Sequence, residues 1–170
     1  DVLPDGVQYE VKEINEKETD TDTKDTIKQK ERVLIVEDNE DIRRYLAEEL
    51  RGLFEVCEAA NGEEAWKLLN EQEVDVVITD VMMPVMDGVK LTKLIKRNIR
   101  TCHIFVLMLT AKTEIEHQLE GLQTGADDYI PKPFVMGILI LKIQNFIRAR
   151  YRILDHYAKS LDVDPHKMTF

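Results

Sequence analysis

The sequence predicts an α/β fold in which helices cover both faces of one parallel sheet. Apolar runs and segments with helical periodicity alternate five times from Arg32 onward. Runs such as 33–36 and 104–109 are apolar without alternation, which is typical of strands that are buried on both faces. Strict alternation of strand and helix with short connections indicates a doubly wound sheet.

Each predicted strand and helix rests on its own sequence pattern. Strands are expected at residues 33–37, 54–59, 74–80, 104–110 and 129–132. Helices are expected between them because apolar residues recur there at helical spacing. These apolar positions are Ile42, Tyr45, Leu46 and Leu50; Ala65, Leu68 and Leu69; Leu91, Leu94 and Ile95; and Ile115, Leu119 and Leu122. The pairs Asn61-Gly62 and Asp87-Gly88 are cap or turn signals at the starts of the second and third helices.

A long helix is expected from about Phe134 onward. One apolar stripe accounts for its contact with the sheet, and the apolar spacing then continues to Leu161 with Arg150 as an interruption. The stripe consists of Leu139, Ile143, Phe146 and Ile147. The helix is therefore expected to extend beyond the globular part of the chain.

Length and composition indicate one globular domain with flanking segments. The chain has 170 residues, of which 44% are hydrophobic. We assign residues 32–148 to the domain and 1–31 to a linker, mostly disordered or the tail of an upstream domain. Residues 149–170 are expected to form a helical extension and linker towards an output domain that the sequence lacks.

The net charge of −10 argues against direct nucleic-acid binding by this chain. No apolar run is long enough to span a membrane, and the start lacks a secretory leader, so we expect a cytoplasmic protein without membrane contact. Cys57 and Cys102 have no close metal-binding spacing and are expected to be buried, reduced thiols.

Residues with reactive or ligating side chains lie at the ends of the predicted strands. Asp80 ends the third strand, Glu37 and Asp38 stop the first apolar run, and Thr110 and Lys132 end the last two strands. Because the carboxyl ends of parallel strands converge at one edge of a sheet, these five groups are expected to lie close together. Each has an ordinary alternative when taken alone, such as Asp38 or Asn39 as a helix cap and Lys132 as a solvated turn residue.

Three crowded carboxylates favour a hard cation such as Mg²⁺, with Mn²⁺ as an alternative. The backbone carbonyl of Met82 is a candidate for a further oxygen ligand. With the cation bound, Asp80 is a candidate nucleophile, and Lys132 and Thr110 are placed to hold phosphoryl oxygens. This combination indicates aspartyl phosphorylation.

The same residues carry a family resemblance. Residues 32–148 resemble a response-regulator receiver domain of two-component phosphorelay signalling. The similarity lies in 36–39 (Val-Glu-Asp-Asn), 79–88 (Thr-Asp-Val-Met-Met-Pro-Val-Met-Asp-Gly), 109–111 (Leu-Thr-Ala), 125–129 (Gly-Ala-Asp-Asp-Tyr) and 131–134 (Pro-Lys-Pro-Phe). The resemblance implies a flavodoxin-like (βα)5 fold with strand order 2-1-3-4-5.

The resemblance also implies a role for each site residue. Asp80 is the phosphoacceptor, Asp38 and Asp80 ligate Mg²⁺ directly, and Glu37 does so through water. Thr110 and Tyr129 form the switch pair, and Lys132, which precedes a cis peptide bond, contacts the phosphoryl group. The phosphodonor is a histidine kinase. The acidic pair is Glu-Asp, where Asp-Asp is common in the family.

The flanking segments resemble those of hybrid sensors in which a kinase, a receiver and an AraC-type output share one polypeptide. None of the histidines, at 103, 117, 156 and 166, lies in a kinase phosphoacceptor box, and no nucleotide-binding loop is present. We therefore expect the chain to receive phosphate without drawing it from ATP.

Three alternatives share parts of this pattern. A phosphatase of the haloacid dehalogenase type also uses an aspartyl nucleophile, but its Asp-x-Asp motif follows the first strand, whereas Asp80 has Met82 two residues later. A flavodoxin-like cofactor binder would need a phosphate-binding first loop, which Glu37 and Asp38 would repel. A degenerate receiver would act as a phosphorylation-independent interaction module.

The last helix also carries a candidate interaction surface. Ile138 and Leu141 point away from the apolar stripe, on a face where a monomer would place polar residues. Adjacent apolar residues on such a face are typical of a partner surface. We expect phosphorylation to strengthen homodimerisation through it.

Overall fold

A computed structural model describes residues 29–111 and 125–161. Five parallel strands form one sheet with the order β2-β1-β3-β4-β5, which confirms the predicted fold class. The strands are β1 Arg32–Val36, β2 Glu55–Ala59, β3 Val76–Asp80, β4 Phe105–Ala111 and β5 Asp128–Lys132. Their bounds lie within two residues of the predicted ones.

The described helices are α1 Glu40–Leu50, α2 Gly62–Glu71, α3 Gly88–Arg97 and a C-terminal helix, Met136–Leu161. The side chains of Asn39, Asn61 and Asp87 cap α1, α2 and α3 by accepting hydrogen bonds from backbone N–H groups of the first turn. These caps agree with the turn signals in the sequence. The helix predicted around Ile115, Leu119 and Leu122 lies outside the described residues, as do residues 1–28 and 162–170.

Two apolar cores cover the faces of the sheet. On one face, strand residues such as Ile35, Ile78 and Leu107 pack with residues of α1 and the C-terminal helix. On the other face, residues such as Leu34 and Val77 pack with α2 and α3. Both faces of β1 and β3 are therefore buried, which explains their continuous apolar sequences.

Tyr45 is 50% exposed, while α1 buries Leu46, Ala47 and Leu50. The prediction that both thiols are buried is wrong. Cys102 is exposed because it lies in the turn between α3 and β4 rather than on the buried strand. Cys57 is only half-buried, on the edge strand β2, and both thiols are free.

The C-terminal helix packs on the sheet through its first half, and Leu154 and Ala158 in its second half are buried as well. Leu139 and Ile143 are fully buried, and the ring of Phe146 stacks on Phe105 with centroids 4.2 Å apart. At 1.5 Å per residue, its 26 residues span about 39 Å. No helix in the described ranges combines the length and apolar character that crossing a bilayer requires.

Candidate functional site

The candidate site lies at the carboxyl edge of the sheet. Asp80 is the last residue of β3, and Lys132 is the last residue of β5. Glu37 follows β1 directly, and its N–H continues the ladder by donating to the carbonyl of Ala59 at 3.1 Å. Because β1 and β3 are neighbours in the sheet, the acids that end them meet as predicted.

Three carboxylates form a compact cluster at this edge. One ligand oxygen from each of Glu37, Asp38 and Asp80 lies within 4.8 Å of the others. Glu37 is buried, Asp80 is partly buried and Asp38 is exposed, so the cluster opens to solvent on the side of Asp38. All three donors are oxygens, as Mg²⁺ and Mn²⁺ prefer. This arrangement fits a divalent cation.

Lys132 is the cationic partner of this cluster. Its Nζ donates hydrogen bonds to Asp80 Oδ2 at 3.0 Å and to Glu37 Oε2 at 3.3 Å. Burial raises the pKa of Glu37, and the charge of Asp80 adds to the shift. Burial lowers the pKa of Lys132, but its hydrogen bonds and the charges of Asp80 and Glu37 outweigh burial, so the net shift is upward. Lys132 therefore stays charged and offsets part of the negative charge of the acid cluster.

Backbone groups fix the orientation of two carboxylates. The Asn39 N–H donates to Glu37 Oε1 at 3.0 Å, and the Val81 N–H donates to Asp80 Oδ1 at 2.7 Å. The guanidinium of Arg43 also binds the Glu37 carbonyl at 2.7 Å. These three hydrogen bonds were not predicted from the sequence. The position of Arg43, one turn after the start of α1, is the one signal that could have suggested a contact with the end of β1.

The loop after β3 is held close to the site. The Gly88 N–H donates to the Val81 carbonyl at 2.9 Å, and a Cβ at Gly88 would lie 2.0 Å from the Asp80 carbonyl oxygen. Met82 lies in this loop with its side chain 70% exposed. A cleft of about 400 Å³ beside it is lined by seven residues: Asp38, Val81, Met82, Met83, Pro84, Asp87 and Val89. Met82, whose backbone carbonyl is the candidate for a further oxygen ligand, thus lies beside the acid cluster.

Thr110 and Tyr129 lie on neighbouring strands. Thr110 is buried in β4, and Tyr129 is partly buried in β5 opposite Met108. Since side chains alternate along a strand and paired residues share a face, Thr110 and Tyr129 project from the same face of the sheet. The peptide bond between Lys132 and Pro133 is cis, as expected from the sequence.

Ile138 and Leu141 are apart from the acid cluster. They lie in the first half of the C-terminal helix, where their side chains are 49% and 53% exposed. Their neighbours Leu139 and Ile143 are buried against the sheet. The helix therefore turns Ile138 and Leu141 towards solvent, as the spacing predicted.

Residues 33–144 match the family described as the response regulator receiver domain. The receiver domain of a signal transduction histidine kinase from Syntrophus aciditrophicus superposes with a TM-score of 0.67 at 30% identity. That similarity covers 70% of this chain and 91% of the other.

Two curated relatives are longer proteins. Histidine kinase P4 of Formosa agariphila is 36% identical over 144 residues, which are 85% of this chain and 10% of that protein. Transcriptional regulatory protein SrrA of Staphylococcus aureus is 39% identical over 117 residues, which are 68% of this chain and 47% of SrrA. The chain thus spans less than half the length of either relative. Its sheet order, its strand-end acids and these similarities together establish that the chain belongs to the response regulator receiver domain family.

Proposed function

We propose that this chain accepts a phosphoryl group on Asp80 from a phosphohistidine of a histidine kinase, with Mg²⁺ bound by the acid cluster. The observation that carries the proposal is the pairing of Asp80 with Lys132 at 3.0 Å inside a cluster of three carboxylates. A nucleophilic carboxylate, a cation site and a cationic side chain are groups that phosphoryl transfer uses.

The proposed transfer is a direct displacement. A carboxylate oxygen of Asp80 attacks phosphorus, and the phosphorus–nitrogen bond of the donor breaks with its electron pair returning to the imidazole. Asp38, Asp80 and the Met82 carbonyl would hold Mg²⁺ directly and Glu37 would hold it through water, and the cation would supply positive charge to the phosphoryl oxygens. Lys132 exchanges its hydrogen bond to Asp80 for one to a phosphoryl oxygen, and the Thr110 hydroxyl holds a second.

The proposal also includes a conformational switch and an output. Thr110 and Tyr129 share a face of the sheet, so a movement of Thr110 towards the phosphoryl group opens space for the Tyr129 ring. The output is proposed to be transcriptional and carried by another part of a longer hybrid protein. The name of the Staphylococcus aureus relative supports a transcriptional output, and that of the Formosa agariphila relative supports a hybrid parent. Residues 1–31 and 149–170 would then be the connections within that parent.

Phosphorylation is expected to require the divalent cation. The chain incubated with acetyl phosphate and Mg²⁺ should gain the mass of one phosphoryl group, because the cation offsets the repulsion between the acids and the anionic donor. Excess chelator should abolish the gain, and Asp38→Ala should slow it by at least about 100-fold, as for the loss of a group that stabilises transition-state charge. Intact-mass spectrometry over time measures both effects.

Asp155→Ala is the matched control, because it removes an exposed acid whose ion pair is with Lys159, one turn further along the C-terminal helix. It should label at the wild-type rate. Unchanged labelling in excess chelator would contradict the cation site. A folded wild-type chain that takes no label would instead favour the degenerate receiver.

Phosphorylation is also expected to strengthen self-association through Ile138 and Leu141. The exposed apolar pair lies on the helix that follows β5, the strand that carries Tyr129. Analytical ultracentrifugation should show a larger dimer fraction with beryllofluoride and Mg²⁺ than without them. Ile138→Glu/Leu141→Glu should remove the increase, because burying two charges in an interface costs several kcal/mol.

The double variant Leu53→Glu/Ile99→Glu is the control for this surface. Leu53 and Ile99 are exposed by 45% and 90% and lie elsewhere on the domain. This variant should dimerise as the wild type does. If activated wild-type protein stays monomeric at high concentration, the C-terminal helix does not provide a dimer surface.

A further inference from the structure

The amino edge of the sheet, opposite the acid cluster, contains a junction of three chain segments. The junction centres on Asp75, the residue before β3. Its Oδ2 accepts a hydrogen bond from the backbone N–H of Arg32 at 2.9 Å, and its Oδ1 accepts one from Nη1 of Arg150 at 2.8 Å. One carboxylate therefore joins the first residue of β1 to the C-terminal helix.

The backbone of Asp75 is itself fixed. Its N–H donates to the Arg32 carbonyl at 2.9 Å, and its carbonyl accepts from the Phe105 N–H at 3.1 Å. Asp75 thus belongs to the central strands β1, β3 and β4 through its main chain. A side chain on such a rigid base is suited to position a neighbouring element.

Arg150 lies where the C-terminal helix leaves the sheet. It follows Phe146 by four residues and so continues the face that Phe146 packs against Phe105. In the sequence, Arg150 interrupts the apolar stripe. The structure gives a reason for this interruption, because an arginine at this position reaches the carboxylate of Asp75.

A second contact joins the same segments. The hydroxyl of Tyr151 donates to Glu31 Oε1 at 3.1 Å, directly before β1. Burial and this hydrogen bond both raise the pKa of Tyr151. Residues 31 and 32 are thus connected to residues 150 and 151 by one direct hydrogen bond, from Tyr151 to Glu31, and by two hydrogen bonds that meet at the Asp75 carboxylate.

We propose that Asp75 and Arg150 form a latch that fixes the direction in which the C-terminal helix leaves the domain and ties this helix to the segment that leads into β1. The latch makes the incoming segment, the sheet and the extension 149–161 one mechanical unit. A change in the orientation of either flanking segment is then transmitted to the other without passing through the acid cluster. This inference does not depend on phosphorylation of Asp80.

Hydrogen exchange followed by mass spectrometry on the 170-residue chain tests the latch. Leu154 and Ala158 of the extension are buried, so breaking the latch should loosen the extension rather than free it. Amides of residues 150–161 should then exchange about five-fold faster in Arg150→Met and in Asp75→Ala, the scale of one partly buried ion pair. Amides of residues 139–147 should keep their protection, because the apolar contacts of that half remain. Labelling of Asp80 by acetyl phosphate should be unchanged.

Glu55→Gln is the matched control, since it breaks the ion pair between Arg32 and Glu55 at the same edge without touching the C-terminal helix. Exchange in 150–161 should stay at the wild-type rate. If Asp75→Ala does not fold, Arg150→Met still tests the latch, because Asp75 keeps its bond to Arg32. Equal exchange in wild type and Arg150→Met, or an equal acceleration in Glu55→Gln, would refute the latch. Additive effects of Asp75→Ala and Arg150→Met in the double variant would refute it as well.

Discussion

The Asp80→Asn variant is expected to fold and to take no phosphoryl group from acetyl phosphate. An amide is a poor nucleophile and has no negative charge to hold the cation, so one substitution removes both functions. Asparagine is nearly isosteric with aspartate, and its side-chain oxygen still accepts the hydrogen bond from the Val81 N–H. We expect loss of all measurable label in intact-mass spectrometry. The circular dichroism spectrum should remain that of the wild type.

Asp87→Asn provides the comparison for this loss. Asp87 caps α3 by accepting a hydrogen bond from the Lys90 N–H at 2.7 Å, and asparagine caps a helix equally well. This variant changes an acid to an amide in the same loop and should label normally. Label that persists in Asp80→Asn and survives hydroxylamine, which cleaves acyl phosphates, would indicate a different acceptor.

The Gly88→Ala variant is expected to lose about 3 kcal/mol of unfolding free energy, as in strong overpacking of a core. The added Cβ would lie 2.0 Å from the Asp80 carbonyl oxygen and 3.0 Å from Thr79 Oγ1. The obstacle at 2.0 Å is backbone at the end of the central strand, so the loop or the strand must shift. Urea denaturation should show a lower midpoint. Any folded fraction should label slowly, because a shift of the loop or of the end of β3 would displace the Asp80 carboxylate.

Gly137→Ala separates this steric effect from the general effect of replacing glycine. Gly137 is in the first turn of the C-terminal helix, and a Cβ there meets nothing within 4 Å. Alanine should be neutral or stabilise by up to about 1 kcal/mol because of its higher helix propensity. A Gly88→Ala variant as stable as Gly137→Ala would mean that the contact between Gly88 and Asp80 relaxes at no cost.

The sequence predicted the fold because the information for it is local. Continuous apolar runs identified the buried strands, and Asn61 and Asp87 marked the helix starts that the structure contains. The carboxyl-edge position of Glu37 and Asp80 followed from one rule about parallel sheets. The pattern did not predict the exposure of Cys102, because a turn residue beside a buried strand has the same local sequence context as a strand residue.

Contacts between residues that are far apart in the sequence were harder to predict. Asp75 sits between two valines in a strand-like run, and Arg150 is an isolated charge in a helical stripe. Each residue is ordinary by itself, and only the packing of the C-terminal helix across the start of β3 brings them together. The close approach of Gly88 to Asp80 likewise depends on the path of a loop, which hydrophobic periodicity does not describe.

The position of Lys132 has a consequence for the order of events during synthesis. Its hydrogen bonds reach Asp80 across 52 residues of sequence and Glu37 across 95. A nascent chain that still lacks β5 carries its carboxylates without this counter-charge, and contacts of such long range form late in folding. Competence to be labelled should therefore appear only after β5 has docked. Acetyl phosphate labelling during refolding would then report completion of the whole sheet rather than formation of its first strands.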